Sequence, residues 1–482
     1  MADAVAAWKL PGLSLAIVRN DSIIYQKGFG VLAAGTRTAV NEHTLFEIGS
    51  VTKAFTATLV SMLVSDGKMS FDGKVADYLP SFRLADPVAN AEVTMRDLMT
   101  HRTGLGRAEL VWIGSGATRE QLLHRMRFLE PQSPFRSRYS YQNVMFLAAG
   151  EAAAKAANST WDREIAQRIF TPLHMTSSVT SSQGLTNRNV AAPHGVIRDS
   201  AYVKPHSNMD NIAPAGSILS SAHDMAQWLR FQMSDGVFEG KRLVSSAAFR
   251  ETHTPQILSG GGGAGAGGGE RVTLFNTYAF GWQVQDYRGQ LMWTHGGGTD
   301  GSSSVVGMLP DQKFGVVVLT NVYGGSMHGL IMRWILDHQL KAPVRDLAGE
   351  ARTRMLAQRA RADSSAASQP PTHKAAGQPS LAPSAFAGVY VDSLYGEATV
   401  TVESGKIMLR RGEWFGPLEY WNGTNFRWTV PYNPVGQPQY IKFDVTADDR
   451  VTGLYLTLGA DQALLRRRTA PGQGPRGPGG DR

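Results

Sequence analysis

A chain of 482 residues, 42% hydrophobic and 18% charged, can bury a sizeable core and is expected to form more than one domain, which excludes a disordered protein. It contains no cysteine, so disulfides, thiolate catalysis and cysteine-ligated zinc are excluded, and it has no apolar run of the ~18 residues that a membrane span needs. The net charge of +8 is mild for this length. Much of it lies between Arg345 and Arg361 and at Arg466, Arg467 and Arg468, the pattern of a solvated helix and a basic tail; without a reader motif beside it, no nucleic-acid partner is expected.

The opening residues, "MADAVAAWKLPG", lack the ordered basic, apolar and cleavage-site regions of a signal peptide. "LSLAIV" and "SIIYQKGFGVL" read as a hairpin closed by "RND". A helix is expected from about Ser50 to Asp66, stopped by Gly67. From there to about residue 250 the spacing is mostly helical, as in "TMRDLMTH", "SYQNVMFLAAGEAAAKAA", "WDREIAQRIFTPL" and "SAHDMAQWLRFQM". Strands return in "FGWQVQDYRGQLMWTH", with its turn at Arg288-Gly289, and in "SSSVVGMLPDQKFGVVVLTN", with its turn at Pro310-Asp311-Gln312. "MHGLIMRWILDHQL" closes the region as a helix.

Strands at both ends of a helical middle predict an α/β (α+β) fold, one antiparallel sheet flanked by helices with an all-helical insertion, over residues 1–345. Residues 346–383 read as a helix and flexible linker, because "DSSAASQPPTHKAAGQPSLAPS" is rich in Ser, Ala and Pro. Residues 384–468 hold closely spaced short strands, which predict a small all-β barrel domain, and residues 469–482 read as a disordered tail. "SGGGGAGAGGGE" contains a GxGxxG match at Gly263, Gly265 and Gly268, but any glycine run matches a glycine pattern. It reads as a flexible loop, 260–269, on the border of the third motif below.

Chemistry concentrates in three places. "FEIGSVTKAFTATLV" puts Ser50 one helical turn before Lys53. Residues i and i+3 lie on one helix face, about 5 Å apart along the axis, so an amine can lean back over the serine oxygen. A hydroxyl is a poor nucleophile until a base takes its proton, and a lysine is a base only when neutral. A helix N-terminus also directs N–H groups at a developing oxyanion. A second SxxK, Ser65-Asp66-Gly67-Lys68, has a glycine inside and reads as a turn. In "RYSYQNVMF", the phenol of Tyr141 can accept or relay a proton, and the amide of Asn143 can bind a substrate carbonyl or hold the lysine. A second YxN, Tyr420-Trp421-Asn422, reads as a strand end and turn. "WTHGGGTDG" carries His295-Gly296-Gly297 at a strand end, where glycines let a substrate approach the backbone.

With these motifs in this order, the chain resembles the serine β-lactamase and penicillin-binding-protein superfamily, in particular its class C β-lactamase-related group of esterases and D-aminopeptidases. "LPGLSLAIV", "LMTHRTGLG", "TPLHMTSS", "APAGSILSSAHDMAQWL", "YAFGWQV" and "HGGGTDGSSSVVGMLPD" extend the likeness over about residues 8–345. The β domain, through "FAGVYV", "FDV" and "VTGL", resembles a lipocalin-like domain. The resemblance implies a β-lactamase-like fold, Ser50 as nucleophile, Lys53 and Tyr141 as general acid and base, and Asn143, His295 and Gly297 as substrate contacts. It implies an oxyanion hole from the N–H groups of Ser50 and Gly298, no cofactor, and a periplasmic or secreted location, with a cytoplasmic one left open because no signal peptide is visible.

His295 stands where β-lactamases of the family carry the lysine of Lys-Thr-Gly, and Gly296 replaces a hydroxyl residue; both changes remove contacts for a carboxylate. His101 in "THRTGL" reads as loop packing. No HExxH motif suggests a metal site, and no Gly-Xaa-Ser-Xaa-Gly suggests a nucleophile elbow. The reading is a serine hydrolase forming an acyl-enzyme on small esters or amides, of the esterase or D-amino-acid peptidase type. The alternatives are a β-lactamase or DD-peptidase with penicillin-binding activity, and a non-catalytic peptide or β-lactam binder. The expected partner is a small-molecule or peptide substrate, with a homo-oligomer left open.

Overall fold

The computed structural model describes residues 5, 7–186, 188–197, 200–261, 272–323, 327–368, 377–428, 439–458 and 461–468. The glycine run after Gly261, residues 369–376 of the linker, and the 469–482 tail lie outside these. The chain forms two units: Met1–Arg107 with Leu129–Asp363, and Ala108–Phe128 with Ser364–Arg482.

The first unit is built on an eight-stranded antiparallel sheet. Its spatial order is Ser22–Gly30, Gly12–Arg19, Phe314–Thr320, Ser302–Leu309, Gln290–Thr299, Gln283–Tyr287, Phe275–Tyr278 and Ile257–Gly261. The first and last thirds of the unit therefore meet in the middle, where Leu15 pairs with Val318. The first hairpin turns through Asn20 and Asp21, both left-handed at φ 48° and 64°. Arg288 and Gly289 do the same at 49° and 76°; such two-residue turns match the twist of the flanking strands. Phe314–Thr320 and Ser302–Leu309 are buried along their whole length, so both faces of the sheet are covered. On one face the helix Met327–Gln339 packs Met332 and Leu336 over Gly307; on the other, Met233, just past the helix Ala222–Gln232, lies over Gly315.

The helix Thr52–Ser65 is buried from Thr52 to Leu63, which makes it the axis of the helical region. Phe55 stacks on Trp228 with ring centres 3.8 Å apart. The helix Asn143–Ala156, buried along most of its length, packs beside it. The helical middle also holds three two-stranded ribbons, Phe46–Glu47 with Leu219–Ser220, His194–Ile197 with Ser200–Val203, and Val237–Phe238 with Lys241–Arg242. Strands this short carry no alternation that a sequence can display.

The second unit is a closed eight-stranded barrel from Gly388–Asp392 to Asp461–Arg467, sealed where Tyr390 and Val391 pair with Arg467 and Arg466. Phe386, Tyr390, Leu409, Phe426, Trp428, Phe443, Leu454 and Leu465 fill its core. Ala108–Phe128 groups with this barrel rather than with the chain on either side of it. Leu110 joins the barrel core, and its N–H is accepted by Asp461 at 3.2 Å. The guanidinium of Arg411, 1% exposed, donates to the carbonyls of Leu110 and Ile113. Gly114, at φ 59°, lies against the Trp414 indole, where a Cβ would come within 2.2 Å of the ring.

Candidate functional site

The site is assembled where the strand Gln290–Thr299 lies flush against residues 48–50. Gly49 takes φ 50°, and a Cβ there would sit 2.6 Å from the Gly298 nitrogen. A Cβ on Gly297 would stand 1.9 Å from the Ile48 carbonyl oxygen, which also accepts from Ser304 Oγ at 2.7 Å. Only glycines allow this approach. The buried carboxylate of Glu47 accepts from Thr299 Oγ1, from His206 Nδ1 at 2.8 Å and from the Ser207 N–H at 3.2 Å, which ties the far end of the strand to the same loop.

Ser50 lies in a 3₁₀ turn, Gly49–Val51, that runs directly into the helix Thr52–Ser65. Lys53 is fully buried, and its Nζ donates to Ser50 Oγ at 3.0 Å, Asn143 Oδ1 at 2.8 Å and the Ala215 carbonyl at 2.8 Å. The amine also lies 4.8 Å from the centre of the Tyr141 ring and 5.6 Å from that of Phe146. Gln142 caps the helix Asn143–Ala156 by accepting from the Val144 N–H, which sets Asn143 at the first turn, facing the lysine. Ser50, Lys53, Tyr141 and Asn143 are thus brought together, with Gly297 and Gly298 beside them. With its two N–H donors on Asn143 Oδ1 and the Ala215 carbonyl, a neutral Lys53 would turn its lone pair to the Ser50 hydroxyl 3.0 Å away, the arrangement needed to take that proton.

His295 is 5% exposed, and both of its ring nitrogens are engaged inside the protein. Nδ1 donates to the Gly296 carbonyl at 2.7 Å, so Nε2 accepts from the Tyr278 hydroxyl at 3.0 Å. Burial, reinforced by Lys53 nearby, pushes its pKa down to about 3, which makes it a neutral group at ordinary pH. The second SxxK is dispersed: Ser65 Oγ bonds the Ser61 carbonyl and Ser245, and Gly67 follows at φ 71°. The second YxN sits at an irregular strand end, where Asn422 Oδ1 accepts from Asn425 Nδ2 at 2.8 Å.

Sequence reasoning missed the aromatic cluster beside the Lys53 amine. His101 lies with its ring centre 4.3 Å from Tyr141, 5.0 Å from Tyr278, 5.2 Å from Phe146 and 5.6 Å from Tyr139. Burial, then the charges of Lys53, His295 and Arg107, hold the His101 pKa well below the usual histidine value; burial likewise holds the Tyr278 phenol well above its own. The Arg107 guanidinium lies 5.1 Å from the Tyr141 ring centre. Tyr139, Tyr141 and Phe146 share one stretch of sequence, but His101 and Arg107 come from an earlier loop and Tyr278 from a late strand, so only the fold links the three segments. Among the described residues, no cluster of three or more His, Asp or Glu is arranged to hold a metal, and no helix is long and apolar enough to cross a membrane.

A family profile described as beta-lactamase matches residues 1–340, and a domain of unknown function, DUF3471, matches residues 372–468. The chain is 28% identical over 365 residues to unguisins hydrolase ungD of Aspergillus violaceofuscus, covering 71% of this chain and 64% of that protein. It is 28% identical over 323 residues to penicillin-binding protein 4 of Amycolatopsis lactamdurans, covering 65% of this chain and 81% of that protein. The chain spans under two thirds of the length of the two unguisins hydrolases it matches, 64% and 63%. In fold it is similar to the octameric penicillin-binding protein homologue from Pyrococcus abyssi, with a TM-score of 0.64 at 20% identity, over 96% of this chain and 98% of that one. It is also similar to SurE, with a TM-score of 0.57 at 20% identity, over 97% of each chain. The profile, the sheet-and-helix core and the two glycine-lined segments pressed against each other agree: this chain belongs to the beta-lactamase family.

Proposed function

We propose that this chain is a serine hydrolase of the penicillin-binding type, forming an acyl-enzyme on Ser50 with a peptide-like amide or a β-lactam. The observation that carries the reading is the fully buried Lys53 amine, 3.0 Å from the Ser50 hydroxyl and held by Asn143 and Ala215. In this reading Ser50 attacks the carbonyl carbon while its proton passes to the Lys53–Tyr141 pair. The oxyanion is met by the N–H groups of Ser50 and Gly298, the proton then goes to the leaving nitrogen, and water releases the acyl group. Asn143 steadies the lysine and meets the acyl side of the substrate. The similarity to penicillin-binding protein 4 supports this substrate class, and the relatives named unguisins hydrolase support turnover over binding alone.

A second reading, turnover of small esters or D-aminoacyl amides, is favoured by His295. A neutral imidazole bonded on both sides gives no cation for the carboxylate of a β-lactam. The same histidine-led motif supports the class C-related branch of the family, and a lipocalin-like barrel and export to the periplasm or medium belong to the same proposal.

The test is intact-protein mass spectrometry after exposure to a fluorescent penicillin, a D-aminoacyl p-nitroanilide and a p-nitrophenyl ester. The expected result is an adduct that peptide mapping puts on Ser50 and that Ser50→Ala abolishes. A stable penicilloyl adduct supports the first reading; fast turnover of ester or D-aminoacyl amide without one supports the second. An adduct elsewhere, or binding of all three without any adduct, overturns both.

A further inference from the structure

We propose that His101 is a positioning residue that fixes the phenol of Tyr141; the proposal rests on the reading in which Tyr141 shares the proton transfer. The backbone carbonyl of His101 accepts the N–H of Ser140 at 2.7 Å, and its ring Nδ1 accepts the N–H of Gln142 at 3.1 Å. One residue therefore holds the backbone N–H of the residue on each side of Tyr141, while its ring packs 4.3 Å from the phenol ring at an angle of 39°. The neighbours complete the clamp. Ser140 Oγ donates to the Leu105 carbonyl at 2.6 Å, and Gln142 Nε2 donates to the Gly106 carbonyl at 2.6 Å, so the 140–142 tripeptide is pinned to residues 101–106. Tyr141 itself is only half-buried, whereas His101 is fully buried. The position of an accessible group is set by an inaccessible one.

The chemistry of the ring matches this task. Accepting the Gln142 N–H requires a lone pair on Nδ1, so the ring is neutral and carries its proton on Nε2. That Nε2 has no hydrogen-bond partner among the described residues, and the rings of Tyr139 and Tyr278 pack against the imidazole at 5.6 and 5.0 Å between centres. An apolar ring would fill the same space without leaving a buried donor unpaired. The backbone adds a second demand: His101 takes φ 56°, a conformation that histidine, asparagine and glycine tolerate and most residues do not. Asparagine also offers an acceptor at the place of Nδ1. Three substitutions thus separate the demands. His101→Asn keeps the acceptor and the backbone, His101→Gly keeps only the backbone, and His101→Phe keeps only the ring.

The experiment measures kcat and KM for p-nitrophenyl acetate, the second-order rate of fluorophosphonate labelling and the thermal midpoint, for each variant alone and combined with Tyr141→Phe. His101→Gly and His101→Phe are expected to lower kcat and labelling about 100-fold, with KM within about threefold, as a misplaced catalytic group does. His101→Asn is expected to stay within about tenfold of the parent. In the Tyr141→Phe background the same His101 substitutions are expected to cost less than about threefold, because no phenol oxygen remains to be positioned. Equal losses in both backgrounds, or His101→Asn as slow as His101→Phe, overturn the proposal and make His101 a packing residue. A Tyr141→Phe protein as active as the parent instead overturns the role of Tyr141 on which the proposal stands.

Discussion

Gly297→Ala is a sharp perturbation of the site. The added Cβ would stand 1.9 Å from the Ile48 carbonyl oxygen and 2.5 Å from Ser304 Oγ. A carbon and a carbonyl oxygen settle at about 3.3 Å or more, so strand and loop must separate by roughly 1.4 Å. Neither partner is the loose end of a long side chain: one is backbone, and the other is the hydroxyl that holds that backbone. In the proposed mechanism the displaced strand carries the Gly298 N–H, one residue on, away from the oxyanion. A misplacement of about 1 Å in a catalytic constellation costs on the order of 100-fold, or about 2.7 kcal/mol of barrier. Overpacking adds about 1–3 kcal/mol of lost stability.

Gly296→Ala is the matched control. Its Cβ would meet only the Ser304 carbonyl oxygen, at an ordinary 3.8 Å. The assay is the second-order rate of fluorophosphonate labelling of folded protein, beside thermal unfolding of each variant. The expected order is a loss of about 100-fold for Gly297→Ala and less than about threefold for Gly296→Ala. Labelling of Gly297→Ala within threefold of the parent at an unchanged melting temperature would refute the argument that this close approach sets the site.

Lys53→Met should lower labelling at least about 1000-fold, the upper range for a general base, while the carbonyl oxygens of Asn143 and Ala215 lose their donor at about 1–3 kcal/mol each. A loss under tenfold would remove Lys53 from proton transfer. His253 and His295 are both pushed down to about 3 by burial, so these two residues together bind up to two protons more in the unfolded chain than in the folded one between about pH 6.5 and 3. Their contribution is intact above pH 6.5 and lost as pH falls toward 3, at about 1.4 kcal/mol per pH unit per histidine. His253→Phe should shed one histidine's share of that slope in urea titrations from pH 4 to 6, and an unchanged slope would show that His253 is not buried neutral. Asp97 is fully buried between Arg102 at 2.5 Å and Arg136 at 2.7 Å, so Asp97→Asn should cost about 3–5 kcal/mol in the same titration at pH 7. A cost under 1 kcal/mol would mean that the two arginines find other partners. Arg411→Met should make residues 108–128 the first site of limited proteolysis, and an unchanged digestion pattern would show that the two carbonyl contacts of Arg411 do not hold that segment.

The sheet, the barrel and the serine–lysine pair were legible because each has a local signature. Short apolar, β-branched runs bounded by turn residues mark Gly12–Arg19 and Phe314–Thr320 as strands, Asn20-Asp21 and Arg288-Gly289 mark turns, and SxxK at the head of an apolar helix marks Ser50 and Lys53. What stayed hidden has no period. His101 and Tyr278 meet at a ring distance of 5.0 Å across 177 residues of chain, and the need for Gly297 comes from Ile48. The carbonyl of Ala215 is invisible because any residue carries one, and its bond to Lys53 depends only on where the short helix Ala213–Gly216 falls. The tie between Leu110 and the barrel is likewise a matter of tertiary packing, since "AELVWIGSG" carries no sign that its partners lie some 300 residues downstream.

That tie makes the barrel a discontinuous domain. Its core needs Leu110, and the carbonyls of Leu110 and Ile113 need Arg411, yet the ribosome releases the former hundreds of residues before the latter. During translation, residues 108–128 emerge as a hydrophobic flap with nothing to close on, and they find their place only when the last strands have been made. A protein shortened at the linker keeps every residue of the serine–lysine site but strands this flap in water, so a truncated product invites aggregation that has nothing to do with its catalytic chemistry.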